Sequence, residues 1–158
     1  MEERRSPPSN LKKQIIMEEL TGTVVLVHPE LMNDPVNRQG HVGIVATADL
    51  GQDEVFVGFG KGPLGLYSVD ALLVLKPHNE IYKDLLNHVQ ELDAQDFKAM
   101  LRISMLLEAG SPKQIKDAME LAMTSYQTLS HSTIPLQDKL NPIREQIQAE
   151  ERDFVHAR

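Results

Sequence analysis

Between Thr21 and Pro77 the chain never runs more than six residues without a Gly, Pro, Asn or Asp, and the runs between these breaks are rich in Val, Leu and Phe. Such runs are too short for a stable helix and have the β-branched and aromatic content of strands. Five strands are expected: Thr23 to Val27, His41 to Ala48, Glu54 to Phe59, Leu64 to Ser68, and a last one closing at Leu72 to Leu75. Within the third, Val55, Val57 and Phe59 share one face by the two-residue period, and in the fourth Tyr67 points opposite to Leu64 and Leu66. Asp49 to Asp53 and Gly60 to Pro63 read as reversals, Ser68 to Ala71 as a single helical turn, and residues 28–40, with Pro29 and Pro35, as a long loop.

After Pro77 the apolar period becomes helical. Ile81, Leu85 and Val89 form one stripe with Tyr82, Leu86 and Leu92 beside it. Asp93 caps a second helix with Phe97, Met100, Leu101, Ser104, Met105 and Leu107 inward, ended by Gly110. Ser111-Pro112-Lys113-Gln114 combines a capping box with proline at the first helical position. The helix it opens is expected to run through Ile115, Ala118, Met119, Ala122, Tyr126 and Leu129 and to break at Ser130 to Pro135. Asn141-Pro142 then starts a last helix whose stripe, Ile143, Ile147 and Phe154, is thin enough to seek its neighbours in a second copy. Ahead of the strands, residues 1–10 lack apolar periodicity, and Asn10 caps a short amphipathic segment through Leu11, Ile15, Ile16 and Leu20.

The expected fold is α+β: a five-stranded SH3-like β-barrel over residues 21–77, followed by an antiparallel bundle of three to four helices over 78–158, with 1–20 as a flexible lead and short helix. The strand spacing, the long first loop and the glycines carry the resemblance. Gly22, Val24 and Val27, followed by Gly40, Gly43 and Val45, resemble the KOW and Tudor-like branch of the SH3-like superfamily. A small barrel followed by helices, with Val24-Val25-x-x-His28-Pro29 at its start, is also similar to the CarD-type bacterial regulators. That resemblance implies a barrel contacting RNA polymerase and helices touching DNA.

Charge argues against the DNA half of that reading. The net charge of −7 divides as 0 before Thr21, −3 over Thr21 to Pro77 and −4 from His78 onward, so no part is a cationic module. Phosphate binding draws on clustered Lys and Arg, which this chain lacks. Zero cysteines exclude disulfides, thiolate metal sites and a cysteine nucleophile, and fit a reducing compartment. No run nears the ~18 apolar residues of a membrane span, and the first eight residues lack an apolar leader core. The expected address is the cytoplasm.

Chemistry-bearing constellations are absent from the pattern. The six histidines include no helical i, i+4 pair and no HExxH, so no metal site is expected. The carboxylate pairs Asp53-Glu54, Asp93/Asp96 and Glu150-Glu151 fall in a turn, a helix start and a terminal helix, where solvation or capping explains them. Gly58 to Gly62 holds glycines and a lysine, but a strand follows it where a phosphate loop needs a helix. No GxSxG elbow exists. No cofactor and no catalytic residue are expected, with a small-molecule enzyme as the third alternative. Met100, Met105, Met119 and Met123 read as core at helical spacing, and the break at Gly110-Ser111 as a helical hairpin.

The remaining surface candidate is the proline-flanked loop. Asp34, Pro35, Asn37 and Arg38 stand in it, with Arg38 able to donate a bidentate contact and Tyr67 offering an aromatic platform nearby. The expected function is a non-enzymatic protein-interaction or scaffolding module, whose partner is another protein or a second copy of itself.

Overall fold

The first strand decides the layout, because all four of its residues are apolar and both of its faces need cover. The computed structural model describes residues 19–142 together with Glu145, Ala149 and Arg152. Strand β1 (Val24–Val27) is buried throughout. Val25 and Val27 face an inner core, while Val24 and Leu26 face a second cluster on the other side. Around β1 run β2 (Val42–Asp49), β3 (Glu54–Gly58), β4 (Gly65–Tyr67), β5 (Leu72–Leu75) and β6 (Thr133–Pro135). They form one antiparallel sheet in the order β4-β3-β2-β1-β5-β6.

Two expectations need correction here. The sheet has six strands and is not closed into a barrel: β4 stands at one end and β6 at the other. The sixth strand comes from the segment expected only to break a helix. Thr133 and Ile134 are β-branched, β5 offers them an open edge, and Pro135 is tolerated because β6 lies at that edge. The register pairs Leu75 with Thr133, Val74 with Ile134 and Leu73 with Pro135.

The inner face carries the expected alternation. Val45, Ala48, Val55, Val57, Tyr67, Leu72 and Val74 join Val25 and Val27 in one core, to which Leu20, Leu136 and Leu140 are added from outside the five expected strands. Gly43 is required at its position, since a Cβ there would lie 2.5 Å from Val57 Cγ1. A 3₁₀ turn, Val69–Ala71, leads into β5 as anticipated, held by the Val69 N–H donating to Asp53 Oδ1 at 3.0 Å.

Helices α1 (His78–Asn87), α2 (Ala94–Ala109), α3 (Pro112–Ala122) and α4 (Tyr126–Ser132) follow, and residues 136–142 form α5. The caps agree with the sequence: Asp93 accepts from the Asp96 N–H, Gly110 takes a left-handed φ of 79°, and Ser111 and Gln114 close the capping box. Ile81, Leu85, Met100, Ile103, Ala118 and Ala122 make the helical core.

Several helical expectations differ. The helix expected to continue past Tyr126 is two helices, because Thr124 Oγ1 donates back to the Leu121 carbonyl at 2.7 Å and Ser125 accepts from the Thr128 N–H as a new cap. Ser125 Oγ also donates to Asp96 Oδ1 at 2.8 Å, tying the start of α4 to the start of α2. Tyr126 therefore turns outward and is 80% exposed. Met105, Tyr82, Leu86 and Val89 are exposed too, whereas Ile103, left out of the expected stripe, is fully buried. Pro142 lies inside the helix that begins after Pro135, so Asn141 is not a cap. The expected lead and short helix, apart from Glu19 and Leu20, and the stripe Ile143, Ile147 and Phe154 lie outside the described residues.

Candidate functional site

Loop 28–40 leaves β1 and returns to β2 on short footings: the His28 N–H donates to the Ala71 carbonyl at 2.9 Å, and the Gly40 N–H to the Val27 carbonyl at 2.9 Å. Its shape between them is set by Asp34. An Asp ahead of a proline starts a turn by accepting from the backbone beyond it. Here Oδ1 accepts from the Val36 N–H at 3.0 Å and Oδ2 from the Arg38 N–H at 2.9 Å. The Asn37 N–H donates to the Asp34 carbonyl at 3.1 Å, and Asn37 sits at φ 54°, a left-handed backbone that Asn adopts more readily than most residues.

The loop is fastened to the sheet by Tyr67, whose Oη–H donates to Asp34 Oδ2 at 2.8 Å. The Tyr67 ring lies over Gly65, where a Cβ would come within 2.5 Å of ring atom Cε2. Phe59 meets the same ring edge-on at 6.4 Å. The Arg38 guanidinium stacks 5.2 Å from the centre of Phe59 and its Nη2 donates to the Lys61 carbonyl at 3.3 Å. Leu31 and Val36 tuck against the inner core, and Met32 is left 87% exposed.

Electrostatics follow from this geometry. Asp34 is 6% exposed, and burial by itself raises its pKa. The hydrogen bonds from Tyr67 and from the Arg38, Val36 and Asn37 backbone outweigh burial and hold the carboxyl below its ordinary value. Burial pushes the Tyr67 phenol up from its ordinary value, and the Asp34 carboxylate adds to the rise through the hydrogen bond and its charge. Asp34 is thus a carboxylate and Tyr67 a neutral phenol across the whole range near neutrality.

The five residues singled out from the sequence do converge, in unequal roles. Pro35 and Asn37 are exposed, Arg38 is half-buried and turned onto Phe59, and Asp34 and Tyr67 are buried. Tyr67 is no open platform; its ring belongs to the inner core. Sequence reasoning missed Phe59 and Met32 as members of the site, although the period of β3 already placed Phe59 on the face of Val55 and Val57.

Elsewhere, His88 and His131 have rings 4.9 Å apart, and Lys76 pairs with Asp84 at 2.7 Å. Among the described residues no group of three or more His, Asp or Glu is placed to hold a metal ion, and no helix is long and apolar enough to cross a membrane. A cleft of about 380 Å³ opens between the sheet and the helices, lined by Gly22, Val24, Ile44, Lys76, Ile115 and Lys139, among others. Compared with known proteins, the chain matches no family model, no curated protein and no solved structure.

Proposed function

We propose that this chain is a non-enzymatic protein-interaction module in which the sheet presents loop 28–40 to a protein partner. The open sheet holds both ends of the loop, since the His28 N–H bonds the Ala71 carbonyl and the Gly40 N–H the Val27 carbonyl. Binding residues stand disproportionately on loops that a rigid scaffold positions in this way. The observation that carries the reading is the buried Asp34 carboxylate, which accepts from Tyr67, Val36 and Arg38 while Met32, Pro35 and Asn37 stay outside. A loop already held in one shape loses little conformational freedom on binding, so more of its contact energy appears as affinity.

Met32 and Pro35 give the loop an apolar tip, and Met adapts its shape to varied apolar partners. The titratable pair with shifted pKa values serves the loop itself. Asp34 and Tyr67 bond to each other inside the protein, which favours a positioning role over acid-base chemistry.

The test is to immobilise the full chain, expose it to a soluble extract of its own cells and quantify the captured proteins by mass spectrometry. The double variant Met32→Asp, Pro35→Asp changes only the exposed tip, so its melting curve should match wild type while the specifically captured set is lost. An unchanged set on the correctly folded variant would contradict recognition by the loop.

A further inference from the structure

The sheet has a second face, opposite the inner core, and it is only partly covered. Val24 and Leu26 of β1, Leu73 of β5 and Val42 of β2 pack against Ile115 and Met119 of α3 and Leu129 of α4. Two residues beyond Val42, on the same face, Ile44 is 47% exposed. On β4 and just ahead of it, Leu66 is 48% and Leu64 51% exposed. Phe56, half-buried, is flanked across the sheet by Thr47 and Leu66, while Ile44 is opposite Gly58, where a Cβ would lie 3.4 Å from Leu64 Cδ2. Ile44 and Leu64 on one line and Phe56 and Leu66 on the next therefore share one face across three strands, out to the edge strand β4. Scattered exposed apolar side chains are ordinary, whereas neighbouring ones on one face are what contact surfaces are built from.

Charge at the two ends of this patch, taken along the strands, says what fits it. At the β2–β3 turn, Asp49 and Glu54 are direct cross-strand partners on this face, a like-charge pairing that a nearby cation would relieve. Asp53 and Asp70 add to the same end, because Val55 pairs with Tyr67 and so brings the start of β3 beside the end of β4. At the opposite end, where Ile44 pairs with Gly58, stand exposed Lys61 in the β3–β4 turn and exposed Lys139 on the rim of the cleft that Ile44 also lines. The patch has an acidic end and a basic end along the strands, so it is complementary to itself after half a turn.

We propose that this open half-face is the contact surface for a second copy of this chain, packed face to face about a two-fold axis with Phe56 and Leu66 near its centre. The strands of the two copies run antiparallel across the contact. In that orientation Lys61 and Lys139 of each copy approach Asp49 and Glu54 of the other; the parallel orientation would set like charges together. The spacing is that of stacked sheets, ~10 Å, which interdigitated Phe and Leu side chains fill. The surface is separate from Met32 and Pro35, so the proposal does not depend on the loop's role.

Sedimentation equilibrium of the full chain over a concentration series tests it. Wild type should show a concentration-dependent dimer mass. Leu66→Arg should be monomeric with an unchanged melting curve, Lys61→Glu should weaken the dimer about fivefold or more, and adding Glu54→Lys to Lys61→Glu should restore it. Lys61 is exposed and Glu54 half-buried, so the charge variants decide the matter even if Leu66→Arg fails to fold. A wild-type monomer up to ~200 µM, a dimer indifferent to Leu66→Arg and Lys61→Glu, or a loss that Glu54→Lys does not restore would each overturn the proposal.

Discussion

The outer face of the sheet is finished on one side of β2 and open on the other, although the strands are apolar on both. Over β1 and β5, Val24, Leu26 and Leu73 are buried under Ile115, Met119 and Leu129. Over β3, β4 and the middle of β2, Ile44, Phe56 and Leu66 point the same way and keep much of their surface. The difference lies in how the helices are tethered. They leave the sheet from β5, where Pro77 leads directly into α1, and return to it at β6, which is bonded to β5. Anchored at both ends on the β5 side, α3 and α4 reach across β1 to Val42 and no further. Side-chain period thus decides which residues leave the inner core, and chain connection decides which of them are then covered.

The sharpest way to break this comparison is at its covered half. Leu26→Ala removes a fully buried side chain between sheet and helices and should lower unfolding free energy by about 2–5 kcal/mol in denaturant titrations. A loss below ~1 kcal/mol would mean that α3 and α4 do not pack there as described.

A smaller effect is expected at the loop. Asp34→Ala leaves the Tyr67 hydroxyl and two backbone N–H groups without their acceptor and should cost about 1–3 kcal/mol, with faster amide exchange at Val36 and Arg38. The same pair predicts a pH dependence. The Asp34 carboxyl lies below its ordinary 3.8, so its contribution is full above that value and is lost as pH falls through the folded one. The Tyr67 phenol lies above its ordinary 10.0, so stability is held below that value and falls as pH rises past it. Tyr67→Phe should remove the alkaline part of the decline, seen as melting curves that no longer steepen their fall above that pH.

The least effect on the monomer belongs to the open half. Leu66→Ala should change unfolding free energy by under ~1 kcal/mol at a dilution where the chain is monomeric, because about half of that side chain is already in water. A loss as large as that of Leu26→Ala would erase the distinction between the two halves.

Legibility in the sequence followed the reach of each interaction. The Ser111, Pro112 and Gln114 cap, the Asp93 cap and the Gly110 stop were readable because each is settled within four residues. The inward set Val55, Val57 and Phe59 was readable from its period. Loop 28–40 was recognisable as a candidate surface, but the bond that fastens it to the sheet joins Asp34 to Tyr67, 33 positions away, and nothing local announces that. β6 was hidden for a related reason: three residues ending in proline make a strand only where another strand's edge is waiting. Tyr126 was misplaced because the apolar period continued through Thr124 and Ser125, whose hydroxyls bond the backbone and restart the helix in a new direction. The outward direction of Leu66 was plain, and its lack of cover was not, since cover depends on where helices forty and more residues later are tied down.

The chain has no cysteine, which makes the open half directly measurable with a single introduced thiol. The comparison to make is the rate of disulfide-linked dimer formation by Leu66→Cys and by Met32→Cys under the same mild oxidant and protein concentration. Both positions are accessible, but only Leu66 lies near the proposed two-fold axis. Leu66→Cys is expected to cross-link at least about tenfold faster than Met32→Cys, since a pre-associated pair replaces random encounter with a high local concentration. Equal rates at the two positions would contradict the assignment of the uncovered half of the sheet to a second copy of the chain.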